Sequence, residues 1–217
     1  MAKEEIKNSL HEPIAAIAGT RAKIAVLRLL LRANSPIPYR EVARRASMAY
    51  RSIDLALRDL VAAGVVERTS WGRERLVRLR AGHRLAPAIA NLFNAESDFF
   101  PALRAQLRAI GGQDGGDGLI AVAIVGAVAT HDETLADTLD LVIVASTASA
   151  AARWRGRFAG AAGDTGARFG ATLNPIAYDV QTARAMWRTR TPAAERLVRE
   201  AESLIGPTLE SVVSSDG

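Results

Sequence analysis

Along this chain the spacing of apolar positions changes character several times, and each change marks an element. From Pro13 to Arg32 apolar residues recur at helical spacing (Ile14, Ile17, Ile24, Leu27, Leu30, Leu31), predicting one helix whose first half Gly19 weakens. Asn34-Ser35-Pro36-Ile37-Pro38 stops it. A short helix is expected over Tyr39–Ala46 with Val42 and Ala43 inward, then a tight connection from Ser47. A longer helix follows over about Ala49–Ala63, ended by Gly64. In it Ile53, Leu57, Leu60 and Val61 make one stripe, Arg51, Leu55 and Arg58 lie opposite, and Asp54 sits at the edge. After Gly64 the period falls to two: Val65–Thr69 and Glu74–Leu79 read as strands of a hairpin around Ser70-Trp71-Gly72-Arg73.

Helical spacing returns over Ala88–Phe93 and Phe99–Ile110, with a polar break at Asn94–Asp98. Gly111–Gly118 carries five glycines in eight residues. It lacks the Lys-Ser/Thr of a phosphate loop and precedes a strand instead of following one, so it reads as a flexible connection. Two apolar strands, Leu119–Val125 and Leu139–Ala145, are followed by a helix over Ala148–Ala162, a strand over Ala171–Ala177, and helices Val180–Arg190 and Pro192–Leu204. The expected class is α+β. A first domain over 1–84 leads through a helical linker and Gly-rich connection, 85–118, to a C-terminal domain with a small mixed sheet, 119–217.

Composition removes several function classes. The 217 residues include no cysteine, which excludes disulfides, thiolate metal sites and a cysteine nucleophile. Three histidines far apart, His11, His83 and His131, make no imidazole cluster, so no metal site is expected. His131 beside Asp132 and Glu133 reads as part of a solvated loop. The apolar run Ile120–Ala129 is about half a membrane span, and no signal peptide is visible; a soluble cytoplasmic protein is the expectation.

Charge is divided unevenly. Residues 1–84 carry 17 Lys+Arg against 8 Asp+Glu, a net of +9, whereas the remainder is −4. A basic N-terminal third suggests a polyanionic partner for that part.

Residues 20–84 resemble winged helix-turn-helix transcriptional regulators of the ArsR/MarR type. The phrases that carry the likeness are "AVLRLLL", "YREVARRASMAYRSIDLALRDLVAAGVVER" and "RERLVRLR". The resemblance implies double-stranded DNA as partner, with the second helix of the motif, about Ala49–Ala63, in the major groove and the hairpin along the backbone or minor groove. Tyr50, Arg51, Asp54 and Arg58 are then the DNA-facing candidates on the helix. Arg51 and Arg58, seven residues apart, project from one face; a guanidinium there pairs bidentately with guanine or sits on a phosphate. Asp54 either accepts from cytosine N4 or pairs with Arg51 or Arg58. In the hairpin Arg73, Arg75 and Arg78 are candidate phosphate contacts, and Trp71 wedges, stacks or packs on its own wing.

"AVAIVGAVATHDETLADTLDLVIVAS" and "FGATLNPIAYDVQTARAMW" resemble the minimal polymerase-β-type nucleotidyltransferase fold, including members fused to a winged helix. In that family a Gly-Ser turn contacts nucleotide phosphates, and Asp-x-Asp plus a third carboxylate hold Mg²⁺. This chain has Gly126-Ala127 at the turn, Thr138-Leu139-Asp140 at the Asp-x-Asp slot and Asn174 at the third position. One carboxylate with neutral neighbours is a poor divalent site. A degenerate domain without catalytic residues or cofactor is expected, with Gly126, Ala127, Asp140 and Asn174 as a candidate nucleotide pocket.

The sequence therefore points to a DNA-binding transcriptional regulator, expected as a homodimer. Its C-terminal domain would serve in dimerisation, partner binding or sensing of a nucleotide or small-molecule effector. The competing reading is a metal-dependent nucleotidyltransferase, or a toxin–antitoxin component, addressed by a DNA-binding domain.

Overall fold

The computed structural model describes residues 13–71, 74–112, 116–134, 137–189 and 191–214, without the side chains of 15, 16, 71 and 193. The hairpin-tip residues Gly72 and Arg73, and with them the expectation for Arg73, lie outside the described residues, as does the side chain of Trp71. The chain divides between Ser97 and Asp98 into two compact units.

In the first unit the expected helix Pro13–Arg32 is two helices, α1 (Pro13–Ala18) and α2 (Arg21–Leu31). Thr20 breaks them: its hydroxyl accepts the Lys23 amide hydrogen bond at 3.2 Å and caps α2. Gly19 adds the backbone freedom that a helix interior disfavours. The segment read as a simple stop contains a two-residue strand, β1 (Ile37–Pro38). Then come α3 (Tyr39–Arg45) and α4 (Tyr50–Ala62). The connection between these two helices turns at Ser47, which adopts φ 51°. Gly64 takes φ 75° just past α4, a helix stop that a side chain would strain. The hairpin is β2 (Val66–Trp71) and β3 (Glu74–Leu79), with Trp71 opposite Glu74. β1 adds to the other side of β3, giving a three-stranded antiparallel sheet in the order β1-β3-β2.

The core of this unit gathers Val26, Leu27 and Leu30 of α2, Val42 of α3, Ile53, Leu57 and Leu60 of α4, and Val66 and Val77 of the sheet. Lys23 is buried with them, 2% exposed, its ammonium 3.1 Å from Asp59 of α4. A charge removed from water needs such a partner, so the pair pins α2 to α4.

The two helices expected on either side of Asn94–Asp98 are one, α5 (Ala86–Gly111). The polar residues of the supposed break are helical because tertiary ties hold them. Glu96 takes two bonds from Arg28, at 2.8 and 2.6 Å, and the Arg32 guanidinium donates to the Ser97 hydroxyl at 3.3 Å. Ile89 belongs to the first core, Leu103 and Leu107 to the second.

In the second unit β4 (Leu119–Val125) leads through the short helix α6 (Ala127–Thr130) to β5 (Leu139–Ala145), both strands where the apolar runs place them. Helix α7 (Ala148–Gly160), capped by the Thr147 hydroxyl, is followed by an unforeseen α8 (Ala162–Phe169) and by β6 (Leu173–Asp179). Helix α9 (Val180–Arg188) starts at the Asp179 carboxylate, which accepts from the Thr182 amide. The expected helix Pro192–Leu204 stops early: α10 covers Pro192–Glu200, and Glu202–Ile205 is a strand, β7, beside β4. Leu204 and Ile205 both pack into the core of this unit, and the backbone of Glu202–Ile205 pairs with β4, which a continued helix could not do. α11 (Leu209–Ser214) completes the described chain.

The sheet order is β6-β5-β4-β7, with β5 and β6 parallel and the other pairs antiparallel, a small mixed sheet. Both faces of β4 and β5 are covered. Leu139, Leu141 and Ile143 meet Leu107, Trp154 and Phe158; Val142 and Val144 share a second cluster with Leu209 and Val212. That two-sided burial is why these strands read as continuous apolar runs.

Candidate nucleic-acid interface

Helix α4 turns its apolar stripe, Ile53, Ala56, Leu57 and Leu60, fully into the core, which commits Arg51, Leu55 and Arg58 to solvent. Tyr50, in the first turn, is half exposed. Arg51 follows it. Among the described residues no carboxylate lies within ion-pair distance of Arg51. Arg58 differs, because Asp54 holds it at 2.6 Å one helical turn away. Of the alternatives open to Asp54, the structure contains the pair with Arg58.

The hairpin separates its arginines by face. Arg75 shares the side of β3 that carries the buried Val77, while Arg78 lies on the other side and pairs with Glu67 directly across the ladder. Arg75 thus joins Tyr50, and with Pro38, Tyr39, Arg40 and Glu74 they line a cleft of about 510 Å³. β1 makes this meeting possible. Its pairing of Pro38 with Leu76 brings the start of α3 beside the hairpin. Arg40 was not among the residues singled out from the sequence. Its signal was its place in the first turn of α3, immediately after the tyrosine that is buried.

Not every arginine nearby is available to a ligand. Glu41 takes bonds from both Arg44 and Arg45, at 2.6 and 2.5 Å for their closest approaches. Hydrogen bonds from Arg44 and then Arg45 hold its carboxyl at about 2, well below the usual range. Among the described residues Arg40, Arg51 and Arg75 have no such partner. An exposed guanidinium without a counter-ion is the group best suited to a phosphate or a guanine edge.

The second unit contains the other candidate site. Gly126, at φ 75° and ψ −153°, ends β4 in a conformation nearly restricted to glycine, and a Cβ there would stand 3.4 Å from Asp140 Oδ2. Strand pairing sets Asp140 between Val125 on β4 and Asn174 on β6. The Thr138 hydroxyl and the Asn174 amide both donate to Asp140 Oδ1, at 2.7 and 2.9 Å. Gly126, Asp140 and Asn174 are therefore neighbours, and Ala127 follows as the first residue of α6. The arrangement fits a metal pair poorly. It supplies one carboxylate, one oxygen of which is already engaged by two neutral donors, where two Mg²⁺ ions need several anionic oxygens. Among the described residues no three His, Asp or Glu side chains converge as a metal site. No described helix is long and apolar enough to cross a membrane.

Three helices in sequence, with a tight turn between the second and third, run into a hairpin whose sheet is completed by a strand preceding the second helix. The first unit is a winged helix-turn-helix. No family model matches the chain, and comparison with curated proteins gives no match. Solved structures show partial likenesses. One is a homodimeric winged helix-turn-helix DNA-binding domain from Mycobacterium bovis, a possible ArsR-family transcriptional regulator. It is 20% identical, covers 45% of this chain and 92% of its own, and has a TM-score of 0.34. A probable transcriptional regulator from Pseudomonas aeruginosa, also 20% identical, covers 46% and 84% with a TM-score of 0.31. Human N-acetylserotonin methyltransferase in complex with SAM is 15% identical and covers 51% and 37%, with a TM-score of 0.29. The fold of the first unit rests on the element order and strand pairing of this chain itself.

Proposed function

We propose that this protein is a sequence-specific transcriptional regulator that binds double-stranded DNA through its winged helix-turn-helix. The observation that carries the reading is the convergence of Tyr50 from α4 with Arg75 from the hairpin and Arg40 from α3 around one open cleft, with Arg51, which has no carboxylate partner among the described residues, beside Tyr50. Phosphate contacts by Arg40 and Arg75 would fix the position of the domain on the duplex. Arg51, near the N-terminus of the helix that enters the groove, would read a base. In this reading the protein works as a homodimer on two half-sites, since one winged helix has a small footprint.

The second unit, in the same reading, is a nucleotidyltransferase-like domain that no longer transfers nucleotides and serves dimerisation, partner binding or effector sensing. Its Asp140 is supported by hydroxyl and amide groups, and catalysis of phosphoryl chemistry depends on metal ions that such a set does not hold. Genome-wide mapping of DNA bound by the full chain tests the proposal. A recurring motif with two-fold symmetry is the expected result, and binding without any enriched sequence contradicts it.

A further inference from the structure

Two of the arginines singled out as DNA contacts, Arg58 and Arg78, are each paired with a carboxylate, and in both pairs the burial is lopsided. The Asp54 side chain is 14% exposed against 64% for Arg58; Glu67 is 26% exposed against 59% for Arg78. The anion is lodged against the protein, and the guanidinium stands out over it. An incoming phosphate then meets a neutral pair. To gain the full attraction, it must pull the arginine away and strand a half-buried carboxylate, or approach with two anions on one cation. We infer, building on the DNA-binding reading, that Asp54 and Glu67 keep Arg58 and Arg78 from gripping the phosphates of arbitrary DNA, so that Asp54 is a specificity-determining residue and Glu67 a restraint on overall affinity.

The two carboxylates act differently because of where they sit. Asp54 is one turn from Arg58 on α4 and meets its guanidinium at Nη2, so the fork keeps further N–H donors that no described residue engages. An arginine braced in this way is oriented for a guanine edge while its pull on phosphates is reduced. Glu67 holds Arg78 across the hairpin, on the face away from the buried Val77, where the expected ligand is backbone phosphate only. Non-cognate DNA would therefore be held chiefly by Arg40 and Arg75, and a matched site gains Arg51 and Arg58 in addition.

The test measures affinity of the full-length protein for a mapped site and for a random-sequence duplex, each across a salt series. Asp54→Asn should tighten the random duplex about three- to tenfold and the mapped site less, so that the ratio between them falls. Glu67→Gln should tighten both duplexes alike and steepen the salt dependence by about one unit, the increment of one added phosphate contact. Adding Arg58→Ala to Asp54→Asn, or Arg78→Ala to Glu67→Gln, should return the random-duplex affinity to the wild-type value. The near-isosteric amides leave the fold in place, and the reversal by the second change excludes a general loosening. Random-duplex affinity and salt slope unchanged in both amide variants, with wild-type protein still binding its site, would overturn the inference alone. Wild-type protein that binds no DNA would overturn the DNA-binding reading and this inference with it.

Discussion

The winged helix and the Asp140 site treat charge in opposite ways. On the first unit, Arg40, Arg51 and Arg75 reach solvent with no carboxylate beside them among the described residues. On the second, one carboxylate oxygen of Asp140 accepts from both Thr138 and Asn174. Charge without an internal partner is charge available to a ligand, whereas a satisfied group mainly shapes its own surroundings. The contrast teaches where to look for function in this chain, and it also divides the arginines of the first unit: Arg58 and Arg78 are held, as Asp140 is, by their neighbours.

The largest expected effect comes from removing the support beneath the arginine-bearing face. Leu57 is fully buried under α4, and Leu57→Ala should cost about 2–5 kcal/mol, read as a lower urea midpoint for the first unit. The Lys23–Asp59 pair fixes the same helix from the other flank. Asp59→Ala, which leaves a buried ammonium alone, should destabilise more than replacement of Lys23 by methionine. Equal losses would mean that the pair has no role in placing α4.

Arg51→Ala sharpens the comparison directly. It should cost about 1–3 kcal/mol of DNA affinity and relax preference at one base position. Arg75→Ala should weaken all sequences alike. Asp140→Asn should leave affinity for DNA as it was, and full-length protein with Mg²⁺ and labelled nucleotides should transfer none of the label. Metal-dependent transfer abolished by Asp140→Asn would make the second unit an enzyme.

Much of the first unit was legible because helix, short helix, helix and hairpin each carry their own period, and Gly64 marks the change from one to the other. The strands β4 and β5 were legible as bounded apolar runs. What the sequence concealed depends on distant partners. β1 is two residues long and exists through pairing with Val77 and Leu76. The continuity of α5 rests on Arg28, which lies 68 positions from Glu96. β7 is a strand because β4 has an open edge for it. At the candidate site, periodicity placed Arg51 and Arg58 on an outward face. It gave no sign that Arg40 joins Arg75, since their meeting needs β1, or that Glu67 holds Arg78, since that pair needs the register of the hairpin.

The smallest expected effect is a dependence of stability on acid. Glu96 is held below the usual carboxylate range by hydrogen bonds from Arg28, and Glu41 at about 2 by Arg44 and Arg45. A lowered folded-state value means stability that is complete above about 4.5 and is lost as pH falls through the folded values. Both pairs face solvent, so the change is modest. Thermal melts between pH 6 and pH 2.5 should show wild-type protein losing its lead over Glu96→Gln as the solution is acidified. A lead that persists at the lowest pH would show that the pair contributes through packing instead of charge.

The central claim, that unpartnered arginines of the winged helix grip DNA, is tested most directly by the salt dependence of binding. Affinity of the full-length protein for duplex DNA should fall steeply between low and physiological ionic strength, with a logarithmic slope of about 0.9 per phosphate neutralised. Replacing Arg40, Arg51 and Arg75 together by alanine should flatten that slope by two to three contacts' worth, about 2–3 units. Binding that ignores salt, or a slope unmoved by the triple replacement, would contradict the account.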